Sequence, residues 1–385
     1  MIYLDYNATT PVREEVLEEM LPYLEREFGN PSSTHVYGRE PASAVARARE
    51  QVSNLLGCHP EEIVFAGCGS ESDNLAIKGI ADALSQRGNH IITSSVEHPA
   101  VTLPCQYLAR RGFEVTYLPV DAFGRVHPAQ VAEAITDRTI LISIMQANNE
   151  TGSIQPIREI DEIASSRGIC FHTDAAQSVG KIPVQVDDLG IDLLTVAGHK
   201  LYAPKGVGAL YVRRGTELEP LIHGGGQERG VRAGTENVGV IAGLGWAAEL
   251  AGDEMETVAP RLRMLRNRLQ AVLEASPARI RLNGHPTERL PNTLNVSFEG
   301  IESMDLLAAV PEVAASTGLA CHAERRDPSP VLTAMGVPRE LALGAVRFSL
   351  GRYTTEAEIT RAAALIAAKV IEMRGGNARA GCRSL

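Results

Sequence analysis

The chain has 385 residues, a hydrophobic fraction of 44% and a formal net charge of −10. That length is too great for one small core and too short for three ordinary domains, so two domains are expected. The acidity argues against nucleic-acid backbone binding as the main activity, because such sites need a basic face.

The first residues, Met1-Ile-Tyr-Leu-Asp5, have neither the basic nor the apolar region of a secretory leader, and no apolar run approaches membrane-span length. A cytoplasmic setting is the expectation. Six cysteines, Cys58, Cys68, Cys105, Cys170, Cys321 and Cys382, form no Cys-x-x-Cys pair and no zinc-like spacing to histidine. They read as free thiols in a reducing compartment, with no metal site.

From about residue 60 to 214, short apolar runs alternate with helical patterns. The runs are 62–65, 90–93, 113–117, 139–144, 169–172, 192–195 and 207–211. Several are apolar without alternation, as expected of strands covered on both faces. Between them Ala76, Ile80, Ala83 and Leu84 recur at helical spacing, as do Ile157, Ile160, Ile163 and Ala164. This predicts an α/β array around a mostly parallel sheet, with ligands at the carboxyl ends of the strands. A long helix is predicted over 237–274, with the domain boundary near Asp253. Beyond it, strands at 292–298 and 346–350 and helices at 303–310 and 355–373 make a small α+β domain. Residues 374–385 lack periodicity and are expected to fray. The expected division is a large domain of 15–254 and a small domain of 1–14 and 255–385.

The polar clusters fall where such a sheet places its ligands. Gly67-Cys-Gly-Ser70 follows a strand and precedes a helix, so it either holds a phosphate at a positive helix end or is a tight turn with a serine cap. His98, after a strand and before Pro99, suits either stacking and proton transfer over a ring or a helix cap. Asp174 and Lys200 are the most informative pair. Pyridoxal phosphate (PLP) chemistry needs an amine for a Schiff base and a carboxylate that keeps the pyridine nitrogen protonated, and these residues supply both. The bland alternatives are a turn acid and a solvated lysine. Cys321, flanked by small and charged residues in a loop-like segment, offers a thiolate nucleophile. Arg347 suits a substrate carboxylate through its planar fork; Arg352 could serve instead, and either could be a structural ion pair.

Taken with Tyr3-Leu-Asp-Tyr-Asn-Ala-Thr-Thr-Pro11, Glu71-Ser-Asp-Asn-Leu-Ala-Ile-Lys78, Asn148-Asn-Glu-Thr-Gly152, Asp174-Ala-Ala-Gln-Ser178, Gly198-His-Lys-Leu-Tyr-Ala-Pro-Lys-Gly206, the segment 224–235 and Arg347-Phe-Ser-Leu-Gly-Arg352, the chain resembles a cysteine desulfurase of the NifS/IscS type, in the fold-type I PLP superfamily. The resemblance runs nearly end to end. It implies that Lys200 carries the cofactor, Asp174 pairs with the pyridine nitrogen, Gln177 bonds the phenolic oxygen and His98 stacks on the ring. Gly69, Ser70 and His199 would hold the phosphate, with Thr235 reaching in from the neighbouring subunit of a homodimer. Asn149 and Arg347 would grip the carboxylate of L-cysteine, and Cys321 would take its sulfur as a persulfide for an acceptor such as an iron-sulfur scaffold, leaving alanine.

The sequence departs from that pattern in three places. Ala197 stands where the family often has a phosphate-binding serine; the loop around Cys321 reads Thr-Gly-Leu-Ala-Cys-His-Ala-Glu-Arg-Arg; and the tail differs from the segment through which IscS-like proteins dock their scaffold. Ala320-Cys-His322 and Pro328-Ser-Pro-Val-Leu332 are also similar to selenocysteine lyases, which share fold and cofactor. A class-V-like aminotransferase, which would not need Cys321, and a non-catalytic scaffold for sulfur-transfer partners are the other readings.

Overall fold

The computed structural model describes residues 1–317 and 327–381. Twelve strands are present among them: β1 (Ile2–Tyr3), β2 (Ile63–Ala66), β3 (His90–Ser94), β4 (Glu114–Leu118), β5 (Thr139–Ser143), β6 (Cys170–Asp174), β7 (Leu193–Ala197), β8 (Gly208–Val212), β9 (Ile280–Asn283), β10 (Thr293–Phe298), β11 (Val313–Ala314) and β12 (Ala345–Ser349). Seven form one sheet in the order β2-β8-β7-β6-β5-β3-β4. Pairing is parallel from β4 through β7, and β8 runs antiparallel to both of its neighbours.

The unbroken apolar runs have the expected cause. Adjacent residues of one strand enter different cores: Ile92, Ile142, Phe171, Leu194 and Ala209 face one cluster, and Ile91, Leu141, Leu193 and Leu210 face another. Helices Val36–Leu56, Ile157–Ser165 and the start of Val238–Ala275 cover the first face. Helices Gly69–Ala83 and Pro99–Ala109 cover the second. Each fully buried Leu or Ile is worth about 1.5–3 kcal/mol, so both covers are strongly held.

The helix Val238–Ala275 serves two cores. Ile241, Leu244, Ala247 and Ala248 pack on the large sheet, while Leu262, Leu265, Leu269 and Leu273 join Leu294, Val296, Val346, Phe348 and Ile359 in a second cluster. That second cluster lies on the antiparallel sheet β12-β10-β9. Ile2 and Leu4 belong to it as well, because β1 pairs with β11.

The tail corrects one expectation. The last helix spans Glu356–Gly381 rather than ending at 373. The extension, 374–381, holds three glycines beside two alanines and two arginines, so propensity does not drive it; it prolongs a helix already formed, which needs no new nucleus. Strand β9 and helices Pro330–Ala334 and Arg339–Leu343 were also not foreseen.

Candidate active site

Parallel pairing carries the ends of β3, β5, β6 and β7 to one edge of the sheet, and a cavity of about 380 Å³ opens there. Its lining includes Gly69, Ser70, His98, Asn149, Asp174, Gln177, His199, Lys200 and Arg347, residues spread over 279 positions of sequence (69 to 347). Cys321 lies outside the described residues. Thr235 does not reach this cavity within one chain; it is exposed and lines a neighbouring one with Gly67, Glu228 and Arg232.

Lys200 closes a 3₁₀ turn, Gly198–Lys200, directly after β7. It is not a solvated lysine. Its Nζ donates to the carbonyls of Asn7 at 2.5 Å and Ala8 at 2.7 Å. Burial, and then the nearby Arg347 cation, bring its pKa down to about 8, against the pull of Asp5 and Asp174. The N-terminal segment is strapped onto this turn, since Thr10 bonds the His199 carbonyl through both N–H (3.1 Å) and hydroxyl (3.0 Å). Thr9 Oγ1 lies 3.1 Å from His199 Nδ1. Burial and the surrounding lysines Lys200, Lys205 and Lys181 push His199 down to about 4, so its imidazole is neutral.

Asp174 ends β6 and is buried. One carboxylate oxygen accepts the Ala176 N–H at 2.9 Å, and the other has no hydrogen-bond partner among the described residues. Burial raises its pKa, opposed by Ala176, His98 and Lys200. Gln177 follows three residues on, with Nε2 donating to the Asn7 carbonyl at 3.0 Å and Oε1 accepting from Lys181 at 2.9 Å.

His98 meets both of its sequence readings. It caps the helix Pro99–Ala109, its Nδ1 accepting the Ala100 N–H at 3.1 Å, and it also lines the cavity. Because Nδ1 is the acceptor, the neutral ring carries its proton on Nε2. Burial lowers its pKa, with Asp174 pulling the other way. The preceding Glu97 is buried and accepts from Ser94 Oγ at 2.6 Å and from the Met145 N–H at 3.1 and 3.0 Å, tying the loop after β3 to that after β5.

The helix Gly69–Ala83 starts at the cavity edge, and Cys68 at its N-cap makes no side-chain capping bond. Its first N–H groups, with the exposed Ser70, therefore present a positive end. Gly69 permits this approach: a Cβ there would lie 3.0 Å from that of Ala197. Arg347, central in β12, donates to Asp5 Oδ1 at 2.8 Å and to the Asn149 carbonyl at 3.1 Å. Arg352 is excluded from the cavity by its ion pair with Glu254, at 2.5 Å. The residues that sequence reasoning missed are Asp5, Asn7, Asp73 and Lys181. Asn7 stood in the quoted N-terminal motif, but its part is played by a backbone carbonyl, which carries no side-chain signal.

The fold is that of a fold-type I PLP enzyme. The model of the family described as aminotransferase class-V matches residues 2–362. A cysteine desulfurase IscS of Dictyoglomus turgidum is 52% identical over 360 residues, covering 93% of this chain and 91% of the relative. A solved NifS-like protein superposes with a TM-score of 0.90 at 38% identity, covering 97% of this chain and 99% of that one. A structure of SspA in complex with cysteine gives 0.82 at 41% identity, covering 92% and 100%. The chain belongs to the class-V aminotransferase family, among its cysteine desulfurases.

Proposed function

We propose that this chain is a PLP-dependent cysteine desulfurase that converts L-cysteine to L-alanine and holds the sulfur as a persulfide on Cys321, for transfer to an acceptor protein such as an iron-sulfur scaffold. The observation that carries this reading is the Lys200 amine, desolvated to a pKa of about 8 in a cavity it shares with the buried Asp174. Near neutral pH a useful fraction of such an amine is uncharged and nucleophilic.

The donor set fits the cofactor. An uncapped helix start, Gly69, Ser70 and neutral His199 suit a phosphate, completed by Thr235 of the partner subunit in a homodimer. Asp174 has an unpartnered oxygen for the pyridine nitrogen, Gln177 has a spare N–H for the phenolic oxygen, and His98 has a ring face. Bound there, the cofactor supplies an electron sink for the substrate α-carbon. The chain supplies the rest. Lys200 takes and returns the α-proton, His98 offers the proton on Nε2, and Asn149 and Arg347 orient the carboxylate. The Cys321 thiolate attacks the substrate sulfur; the S–S bond forms as the substrate Cβ–S bond breaks, and the electron pair stays with the carbon fragment, which is protonated on the way to alanine. Ala197 adds no hydroxyl, so the phosphate relies on the helix start, Ser70, His199 and Thr235 of the partner subunit.

The same reading divides the chain into a large domain, 15–254, and a small one, 1–14 with 255–385, with the helix Val238–Ala275 running from one core to the other. It places the enzyme in the cytoplasm, where thiols stay reduced. Replacement of Lys200 by Ala should abolish alanine release from L-cysteine; retention of full turnover would remove the basis of the proposal. Activity confined to selenocysteine would move the assignment to a selenocysteine lyase.

A further inference from the structure

Lys181 is an amine that the mechanism above leaves unused. It follows the turn after β6, in which Ser178 and Val179 N–H both donate to the Ala175 carbonyl. Gly180 then takes φ +74°, where a Cβ would stand 2.3 Å from Leu201 Cδ2. This left-handed glycine reverses the chain and brings Lys181 back alongside Gln177. Lys181 Nζ donates to Gln177 Oε1 at 2.9 Å. At the other end of that amide, Nε2 donates to the Asn7 carbonyl, which also receives Lys200.

The surroundings give the lysine no other reason to be there. Among the described residues it has no ion-pair partner, and Gln177 Oε1 is its one hydrogen-bond acceptor. On its far side, Arg13, Glu254 and Arg352 line a small cavity, but Glu254 is already held by Arg13 at 2.8 Å and Arg352 at 2.5 Å. Lys200 and Arg347 repel it, and burial disfavours its charge. Charged or neutral, the amine still has an N–H for Oε1.

A terminal amide has one accepting and one donating end of nearly equal shape. With Lys181 on Oε1 and the Asn7 carbonyl beside Nε2, both ends of Gln177 are specified; a flipped amide would set donor against donor and acceptor against acceptor. One Nε2 proton goes to Asn7 and the second is left for the cavity. We propose that Lys181 is a positioning residue, which locks the Gln177 amide so that an N–H, and not the carbonyl, faces the phenolic oxygen of the cofactor. This rests on the reading of Gln177 given above. Lys181 itself does not line the cofactor cavity.

An N–H beside that oxygen favours its anionic, unprotonated state, so losing the lock moves the pH midpoint of the bound cofactor's visible absorption band upward. The test titrates the PLP-loaded parent against Lys181→Met, Lys181→Arg, Gln177→Ala and the Lys181→Met/Gln177→Ala double variant. Lys181→Met should raise the midpoint by about one pH unit, the size of one hydrogen bond to a charged group. Gln177→Ala should raise it similarly, the double variant should show no further rise, and Lys181→Arg, which keeps a donor, should stay near the parent. If Lys181→Met does not fold, Lys181→Gln, too short to reach Oε1, carries the same expectation. A parental midpoint in Lys181→Met, or additive shifts in the double variant, would overturn the proposal; a merely structural lysine would lower the unfolding temperature and leave the midpoint in place. A parental midpoint in Gln177→Ala would instead overturn the reading of Gln177, and the role of Lys181 with it.

Discussion

Arg347 is already paired with Asp5: Nη2 donates to Oδ1 at 2.8 Å, while Nη1 donates to the Asn149 carbonyl at 3.1 Å. The guanidinium is buried, and its Nε has no partner. The fork is therefore oriented in advance, and under the role proposed for Arg347 an arriving carboxylate would share or displace Asp5. In that role the Asp5 pair would set a cost on substrate binding.

Arg347→Lys keeps the charge and loses the planar two-point grip. The expected result is a fall in kcat/KM for L-cysteine of about 10- to 100-fold, carried mainly by KM. Steady-state kinetics check it, and an unchanged KM would assign Arg347 to the Asp5 pair alone.

His98 caps a helix, and the proposed reading gives it a second, separable duty. His98→Asn retains an N-cap side chain, so it should keep the unfolding temperature near that of the parent while lowering turnover by about 10²- to 10⁴-fold. His98→Ala should lose turnover equally and about 1 kcal/mol of stability besides. Thermal unfolding measured beside alanine release separates the two effects.

The Lys200 amine has a folded pKa of about 8 against the ordinary 10.5 of a lysine. Capture of PLP by the cofactor-free protein should therefore quicken with pH through a midpoint near 8 rather than above 10. The sign for stability follows from linkage. Burial of the ammonium is a penalty, fully present below pH 8, and relieved between 8 and 10.5 as the folded state releases its proton before the unfolded chain does. Urea unfolding of the cofactor-free parent and Lys200→Met should diverge below pH 8 and converge above 10.5, the parent being the less stable at the lower pH.

Glu97 has the opposite sense. Burial pushes its carboxyl from 4.5 up to about 8, so the folded state retains a proton that the unfolded chain has lost. Its contribution to stability declines as pH rises from 4.5 to 8. Glu97→Gln removes that decline; its difference from the parent should grow across this window in unfolding experiments, in favour of the variant at the upper end.

The sheet was legible because strands buried on both faces hold apolar runs without alternation, as in Ile140, Leu141 and Ile142. The cavity was legible because Asp174 ends such a strand and Lys200 and His98 each follow one. What lay beyond the sequence is non-local. Asn7 meets Lys200 across 193 positions, and Arg352 finds Glu254 across 98; no local pattern encodes either meeting. Lys181 stands four residues from Gln177, within reach of pattern reading, but only the reversal at Gly180 turns its side chain to the amide.

The most direct measurement is alanine and persulfide formation from L-cysteine by the PLP-loaded protein, with Cys321→Ala beside the parent. Alanine from the parent, with persulfide on Cys321 and loss of both in the variant, is the predicted result. No alanine from the parent, or undiminished alanine from Cys321→Ala, would contradict the assignment of this chain as a desulfurase that works through Cys321.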